Sequence, residues 1–417
     1  MPLLFLLYVV NFLDRVNVAY AALDMTRDLR FSDQVFGLGS GIFFLGYLLL
    51  EIPGAIIVER WSARKWIARI MVTWGFVTLL TAFVHTERQF IMARFSLGLA
   101  ESGFFTGILV YMRHWFVAQD RAKAVAMFMA AIPLSNFLGS PLAGLLLRLH
   151  WLGLPGWRWL FILEGIPAVL LGVATFFLLT DRPREAKWLP PDEREFLSAQ
   201  LERDAQSPSS LPDTWRVLIH PPLMVLIVSC FLHFTGIFGL LYWLPTLMKR
   251  ASGLPNMEVT LLVAIPYLFS VISQIANGWH SDRTGERRWH AALPVLVAGV
   301  ALAVLATRAS TLTLPQTVIL YTLTSAGIYA YLGPFWAHTS NQLRGTVAAG
   351  ATGSINAIAS LGGFVGPYAV GSLNTHTGTS KAGVVYLSLS VLVSGLLMLL
   401  RIAAKRPFVR QVSRRSR

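Results

Sequence analysis

Apolar residues run along this chain in blocks of about 20, each giving way to a short break of polar, Gly and Pro residues. The blocks end near Leu23, Val58, Val84, Tyr111, Leu147, Leu179, Met248, His280, Ala306, His338, Leu373 and Leu400. An α-helix of that length matches the hydrocarbon thickness of a bilayer. The pattern therefore predicts an all-α membrane protein with about twelve transmembrane helices. One long polar segment, from about Asp181 to Pro222, divides the blocks six and six. Within it Glu193 to Arg203 predicts a short surface helix, and Ser207-Pro208-Ser209-Ser210 a flexible linker. The expected division is an N-terminal six-helix bundle over 1–181, a cytoplasmic linker loop over 182–220, a C-terminal six-helix bundle over 221–403 and a basic cytoplasmic tail over 404–417.

Composition agrees. Of 417 residues, 55% are hydrophobic and 13% charged, where soluble globular chains carry about 25% charged residues. The run from Pro2 to Val10 continues into Asn11-Phe12-Leu13-Asp14-Arg15 without a small-residue cleavage site, so it reads as helix 1 rather than a signal peptide. Its missing polar leader leaves room for a start upstream of Met1.

The net charge of +14 is informative through its placement. With alternate loops assigned to one side, 24 of the 35 Lys and Arg fall on that side and 9 on the other, with Arg15 and Arg94 inside spans. This is the positive-inside bias, and it predicts a multi-pass protein of the cell (inner) membrane with both termini cytoplasmic. The basic tail then faces anionic membrane lipids, and nucleic acid is not an expected partner. The single cysteine, Cys230, lies in a span, so neither a disulfide framework nor a Cys-based metal site is expected. No metalloprotease, P-loop, nucleophile-elbow or dinucleotide-binding motif is present. The chain is read as a transporter without a cofactor, not as an enzyme.

The two halves echo each other. Glu59-Arg60-Trp61-Ser62-Ala63-Arg64-Lys65 follows block two, and Asp282-Arg283-Thr284-Gly285-Glu286-Arg287-Arg288 follows block eight. Gly139-Ser140-Pro141 in block five likewise matches Gly366-Pro367 in block eleven. A repeat of half the chain predicts two pseudo-symmetric bundles around a central site. Gly278 to Arg288 carries most of the loop signature G-x-x-x-D-R-x-G-R-[KR], and here the sequence resembles the major facilitator superfamily. The first copy departs, with Glu59 for Asp and Ser62 for Gly. More narrowly, the sequence is similar to the anion:cation symporters, the family of tartrate, sugar-acid and phthalate permeases. The carrying residues are Asp14-Arg15-Val16-Asn17, Gly46-Tyr47, Arg94 with Glu101, Gly333-Pro334-Phe335-Trp336-Ala337, and Ser354-Ile355-Asn356 through Gly362-Gly363-Phe364.

Asp14, Arg15, Arg94 and Glu101 are ionisable residues inside spans, each costing about 2.5–3.5 kcal/mol if unpaired. They must pair and face a cavity. Arg94 and Glu101, two turns apart, share one helix face with Gly98 between them, leaving room for a solute or a neighbouring helix. Asn11 with Arg15, and Asp14 with Asn17, form adjacent polar stripes on helix 1. Two ion pairs are expected, Asp14–Arg94 and Arg15–Glu101 or their exchange. A substrate carboxylate that takes Arg15 leaves Asp14 or Glu101 unpaired in a dry cavity, where it takes up a proton. Anion and proton binding then favour each other reciprocally. The resemblance implies the same roles: Arg15 for the substrate carboxylate, Arg94 as partner within the binding set, and Asp14 and Glu101 for protons.

Tyr47, Trp336 and Asn356 are the family-matched candidates for further substrate contacts. His233, in helix 7, reads equally as an anion donor or as a satisfied interior histidine. His338 departs from what tartrate-like permeases show after Phe-Trp-Ala. Glu59, Arg60, Arg64, Asp282, Arg283 and Arg287 are expected to pair across the bundle interface and bias the outward-facing state rather than touch substrate. The expected function is proton-coupled symport of a small organic anion, a hydroxy-carboxylate such as tartrate or a sugar acid, by alternating access, with Na⁺ coupling left open. A functional monomer is the default. The alternatives are an aromatic-acid permease, another solute carrier of the superfamily, or a transport-dead membrane sensor.

Overall fold

The structure, a computed structural model, describes residues 1–129, 131–205, 221–342 and 346–400. The basic tail, the Ser207–Ser210 linker and Arg344 lie outside the described residues. Every regular element among those described is helical. The first half contains α1 (Pro2–Asp28), α2 (Asp33–Arg60), α3 (Ala63–Thr81), α4 (Glu87–Glu101), α5 (Phe104–Trp115), α6 (Ala118–Met129), α7 (Ala131–Leu147), α8 (Gly156–Leu178) and the loop helix α9 (Pro191–Ala205). The second contains α10 (Pro221–Ser252), α11 (Asn256–Thr284), α12 (Arg288–Arg308), α13 (Leu314–Ala330), α14 (Leu332–Gln342), α15 (Thr346–Ser360), α16 (Gly362–Thr377) and α17 (Lys381–Leu399).

Among the described residues, ten helical segments are long and apolar enough to cross a membrane. Two of the expected blocks fall outside that set for visible reasons. The α3 helix opens with Arg64, Lys65 and Arg69, and block eleven breaks at Leu361 into α15 and α16, of 15 and 16 residues. Block four also breaks: α4 stops at Glu101 and α5 begins at Phe104, with Gly103 in the left-handed region at φ +79°. Local signals set several ends. Ser62 caps α3 by accepting from the Lys65 amide at 3.1 Å. Thr86 and Gln89 form a capping box on α4.

The chain divides into two compact units. The first comprises residues 1–30 and 42–208; the second takes residues 31–41 and those after 208. In the first unit, small residues let backbones approach, the usual basis of helix packing in lipid. A Cβ on Gly98 of α4 would sit 2.0 Å from the Phe43 carbonyl oxygen of α2, and one on Gly46 would sit 2.4 Å from the Phe95 oxygen. Gly98 thus makes room for a neighbouring helix. Gly75 and Gly165 do the same where α3 crosses α8, and Gly139 of α7 packs on Leu13 of α1.

In the second unit, Gly366 of α16 lies against the Thr235 carbonyl of α10, and the Pro367 carbonyl accepts from Trp243 Nε1 at 3.1 Å. Ser388 of α17 donates to the Gly299 carbonyl of α12 at 2.8 Å. Asn277 of α11 donates to the Ala330 carbonyl of α13 at 2.8 Å. The first turns of α2 belong here through Asp33, which accepts two bonds from Arg250, at 2.6 and 2.8 Å, and one from Asn374 at 3.1 Å.

Candidate functional site

The polar stripes of α1 meet their partners inside the first unit. Arg15 Nη2 donates to Glu101 Oε2 at 2.7 Å, and Arg15 Nε reaches the same oxygen at 3.3 Å. Asn11 Nδ2 donates to it as well, at 3.0 Å. Three donors therefore converge on one oxygen of a fully buried carboxylate. The other oxygen, Oε1, has no hydrogen-bond partner among the described residues. Arg15 is 12% exposed, and aromatic faces surround its guanidinium. The rings of Phe12, Phe43 and Tyr47 lie 5.0, 5.2 and 5.4 Å from its central carbon. Stacking of this kind holds a guanidinium flat while leaving its edge to bind an anion.

Asp14 is fully buried about 100° around α1 from Arg15. It accepts from Trp74 Nε1 at 2.5 Å and from Asn17 Nδ2 at 3.1 Å. Arg94, on α4 and equally buried, stands with its guanidinium 5.2 Å from the Phe43 ring centre, and its charge acts on Asp14. The expected Arg15–Glu101 pair is thus present as a close contact. Asp14 takes its closest hydrogen bonds from an indole and an amide, while Arg94 acts on it electrostatically.

The structure brings Asn11, Asp14, Arg15, Tyr47, Arg94 and Glu101 together from α1, α2 and α4. Trp336, Asn356 and His233 stand on α14, α15 and α10 of the second unit. Trp336 and Asn356 are partly exposed, and Trp336 meets Phe335 edge-on. His233 is fully buried and stacks on Tyr331 with ring centres 3.8 Å apart.

Four of the six loop charges, Glu59, Arg64, Asp282 and Arg287, form ion pairs inside one unit or the other. Glu59 pairs with Arg113 at 2.5 Å, and Arg64 lies 3.8 Å from Asp181, which also accepts from the Ser62 hydroxyl and the Arg64 amide. Asp282 pairs with Arg287, while Arg283 stacks over Trp279. Arg60 is exposed at the end of α2. At the start of α12, Glu286 accepts from the Trp289 and His290 amides and the His290 ring. Partial burial opposes its charge, but these bonds outweigh it and hold the carboxyl below its ordinary range.

Three buried or half-buried residues escape the sequence reading. Trp74 hides inside an apolar run. Glu51 on α2 is half-buried, and Glu164 on α8 is buried. Loop counting weighs Lys and Arg and passes over lone acids, yet the cost that singles out Asp14 singles out Glu164 equally.

Comparison with known proteins fits this architecture. The family model of the Major Facilitator Superfamily matches residues 4–367. A protein of Agrobacterium vitis, named as a proposed tartrate transporter, is 42% identical over 401 residues, covering 96% of this chain and 88% of that protein. NicT of Pseudomonas putida, named as a proposed metabolite transport protein, is 37% identical over 388 residues, covering 91% and 87%. Among solved structures, the xylose transporter XylE of E. coli in a partially occluded inward-open conformation superposes with a TM-score of 0.77. That match is 16% identical and covers 97% of this chain and 98% of XylE, so it supports the fold alone. The chain belongs to the Major Facilitator Superfamily, as a multi-pass membrane transporter of a small molecule rather than an enzyme.

Proposed function

We propose that this transporter carries a small organic anion, a hydroxy-carboxylate such as tartrate, together with protons by alternating access. The observation that supports this most is the Arg15–Glu101 contact, in which one carboxylate oxygen satisfies two guanidinium nitrogens and the Asn11 amide. A substrate carboxylate offers two oxygens in the planar, bidentate geometry a guanidinium prefers. When it takes Arg15, Glu101 keeps only Asn11 as a donor, and in a buried site the stranded charge is relieved by a proton. The arriving anion thereby raises the affinity for a proton, and the proton raises the affinity for the anion by the same factor.

Asp14 plays the parallel part next to Arg94. Its indole and amide donors hold it in place when Arg94 turns to the substrate. Tyr47 closes the aromatic wall at Arg15, and Trp336 and Asn356 are proposed as the second unit's contributions to hydroxyl recognition. We place the protein in the cell (inner) membrane with cytoplasmic termini, working as a monomer without cofactor. The relatives named for tartrate support the substrate class.

A second reading follows from the three rings around Arg15, which also suit an aromatic acid. Uptake into proteoliposomes under an inward proton gradient, with no Na⁺ present, tests both. Saturable tartrate uptake that Arg15→Ala abolishes is the expected result. If benzoate competes better than tartrate, the aromatic reading replaces it. If Arg15→Ala transports like wild type, the anion site is elsewhere.

A further inference from the structure

The first turns of α3 carry three cations, Arg64, Lys65 and Arg69, and only one of them is answered. Arg64 Nε lies 3.8 Å from Asp181, whose carboxylate also accepts from the Ser62 hydroxyl at 2.6 Å and the Arg64 amide at 2.8 Å. These bonds tie the start of α3 to the chain just after α8, so both helix ends lie at one surface of the first unit. Glu59, the acid that precedes them, is taken by Arg113. Among the described residues, the Lys65 and Arg69 side chains have neither an ion pair nor a hydrogen bond, and Arg69 Nε is shut off from solvent without an acceptor.

Both of these cations border one groove of ≈ 470 Å³ between α3 and α8. Residues four apart share a helix face, and the two stand about 6 Å apart along the axis. Aromatic rings hold them there: the Arg69 guanidinium lies 4.1 Å from the Trp66 ring centre, and Lys65 Nζ lies 6.0 Å from that of Trp61. Further along α3 the walls are Val72, Val173 and Phe176, and no acid lines the groove. A Cβ on Gly172 would sit 2.9 Å from the Val72 amide nitrogen, so α3 and α8 touch backbone to side chain at the floor. Val173 is 48% exposed and Phe177 75%. Contiguous exposed apolar surface of this kind marks a face that meets membrane.

The groove therefore joins two uncompensated cations to an apolar channel. An arginine at the edge of the hydrocarbon needs a counter-charge, and a phosphate offers two oxygens to its planar edge. A water-soluble anion would leave the apolar walls unused, and a zwitterionic lipid would bring its own ammonium to two cations. An anionic phospholipid fits both ends, as lipid head groups do in basic pockets between membrane helices.

We propose that Lys65, Arg69 and the α3–α8 groove bind an anionic phospholipid such as phosphatidylglycerol, its phosphate at the two cations and one acyl chain along Val72, Val173 and Phe176. The site faces the bilayer, apart from the Arg15–Glu101 contact, and holds whatever the transported solute is.

Native mass spectrometry of the purified full-length chain in detergent, titrated with phosphatidylglycerol, phosphatidylcholine or inorganic phosphate, tests the site. Wild type is expected to hold one phosphatidylglycerol more tightly than phosphatidylcholine. Lys65→Gln and Arg69→Gln are each expected to weaken it about fivefold, the worth of one cation at an anionic surface. Val173→Trp keeps the charge but fills the groove, and is expected to release the lipid as well. Arg88→Gln and Arg308→Gln, exposed elsewhere, remove the same charge and should leave binding as in wild type. Equal affinity for the two lipids, or equal losses in groove and control variants, reduces the effect to general attraction and overturns the proposal. Lipid binding that survives Val173→Trp, or inorganic phosphate bound as tightly as phosphatidylglycerol, overturns it too. If Arg69→Gln does not fold, Lys65→Gln and Val173→Trp decide.

Discussion

Trp74 makes the shortest contact to Asp14, and its indole is the strongest neutral donor that carboxylate has. A hydrogen bond to a charged group contributes about 1.5–3 kcal/mol. Trp74→Phe keeps an aromatic ring beside Phe104 but removes the N–H together with the rest of the pyrrole ring, which leaves a cavity at a fully buried position. We expect it to lower the stability of the substrate-free protein by at least that amount in thermal unfolding, and an unchanged midpoint would show that Asp14 does not rely on the indole. At the membrane surface, Glu286 provides a pH-dependent counterpart. Its carboxyl is held below its ordinary range by the Trp289 and His290 bonds. Its contribution is therefore full above the unfolded value and disappears as pH falls through the folded one. Glu286→Gln is expected to cost about 1 kcal/mol, the value of a helix cap, at neutral pH. Wild type and variant should converge in acid, and a gap that widened there would reverse the sign of the argument.

At the scale of helices, the period and length of the apolar blocks were enough to read nearly every crossing, because a bilayer leaves the chain few alternatives. The breaks within blocks were not legible. Glu101 looks like a mid-span residue in the sequence, yet α4 ends on it, since the turn depends on Gly103 meeting Trp66 and Gly54 and on Ser102 donating to the Tyr47 carbonyl. These are contacts between distant segments. The Arg15–Glu101 pair was foreseeable from insertion cost, whereas the Trp74 bond depends on how α3 packs against α1. Gly98 shows the same limit: spacing places it between Arg94 and Glu101, but only packing tells that α2 fills the space. Gly98→Ala is expected to cost 1–3 kcal/mol, roughly the penalty of overpacking, because Phe43 backbone stands where the methyl group would be. Gly278→Ala, with open space around it, is the matched control. Equal melting temperatures for the two variants would mean that the α2–α4 crossing yields.

For the molecule as a whole, the account joins an anion site that arginine builds to carboxylates that lose their partners when the anion arrives. Both belong to the first unit, so coupling is expected to fail there before substrate recognition is lost altogether. The most direct measurement follows tracer tartrate and internal pH together in proteoliposomes that start with no pH gradient and no Na⁺. The account predicts that tartrate entering down its own gradient acidifies the lumen, and that Glu101→Gln lets tartrate in with a smaller proton flow. Tartrate entry with no change in internal pH, in wild type, would contradict it.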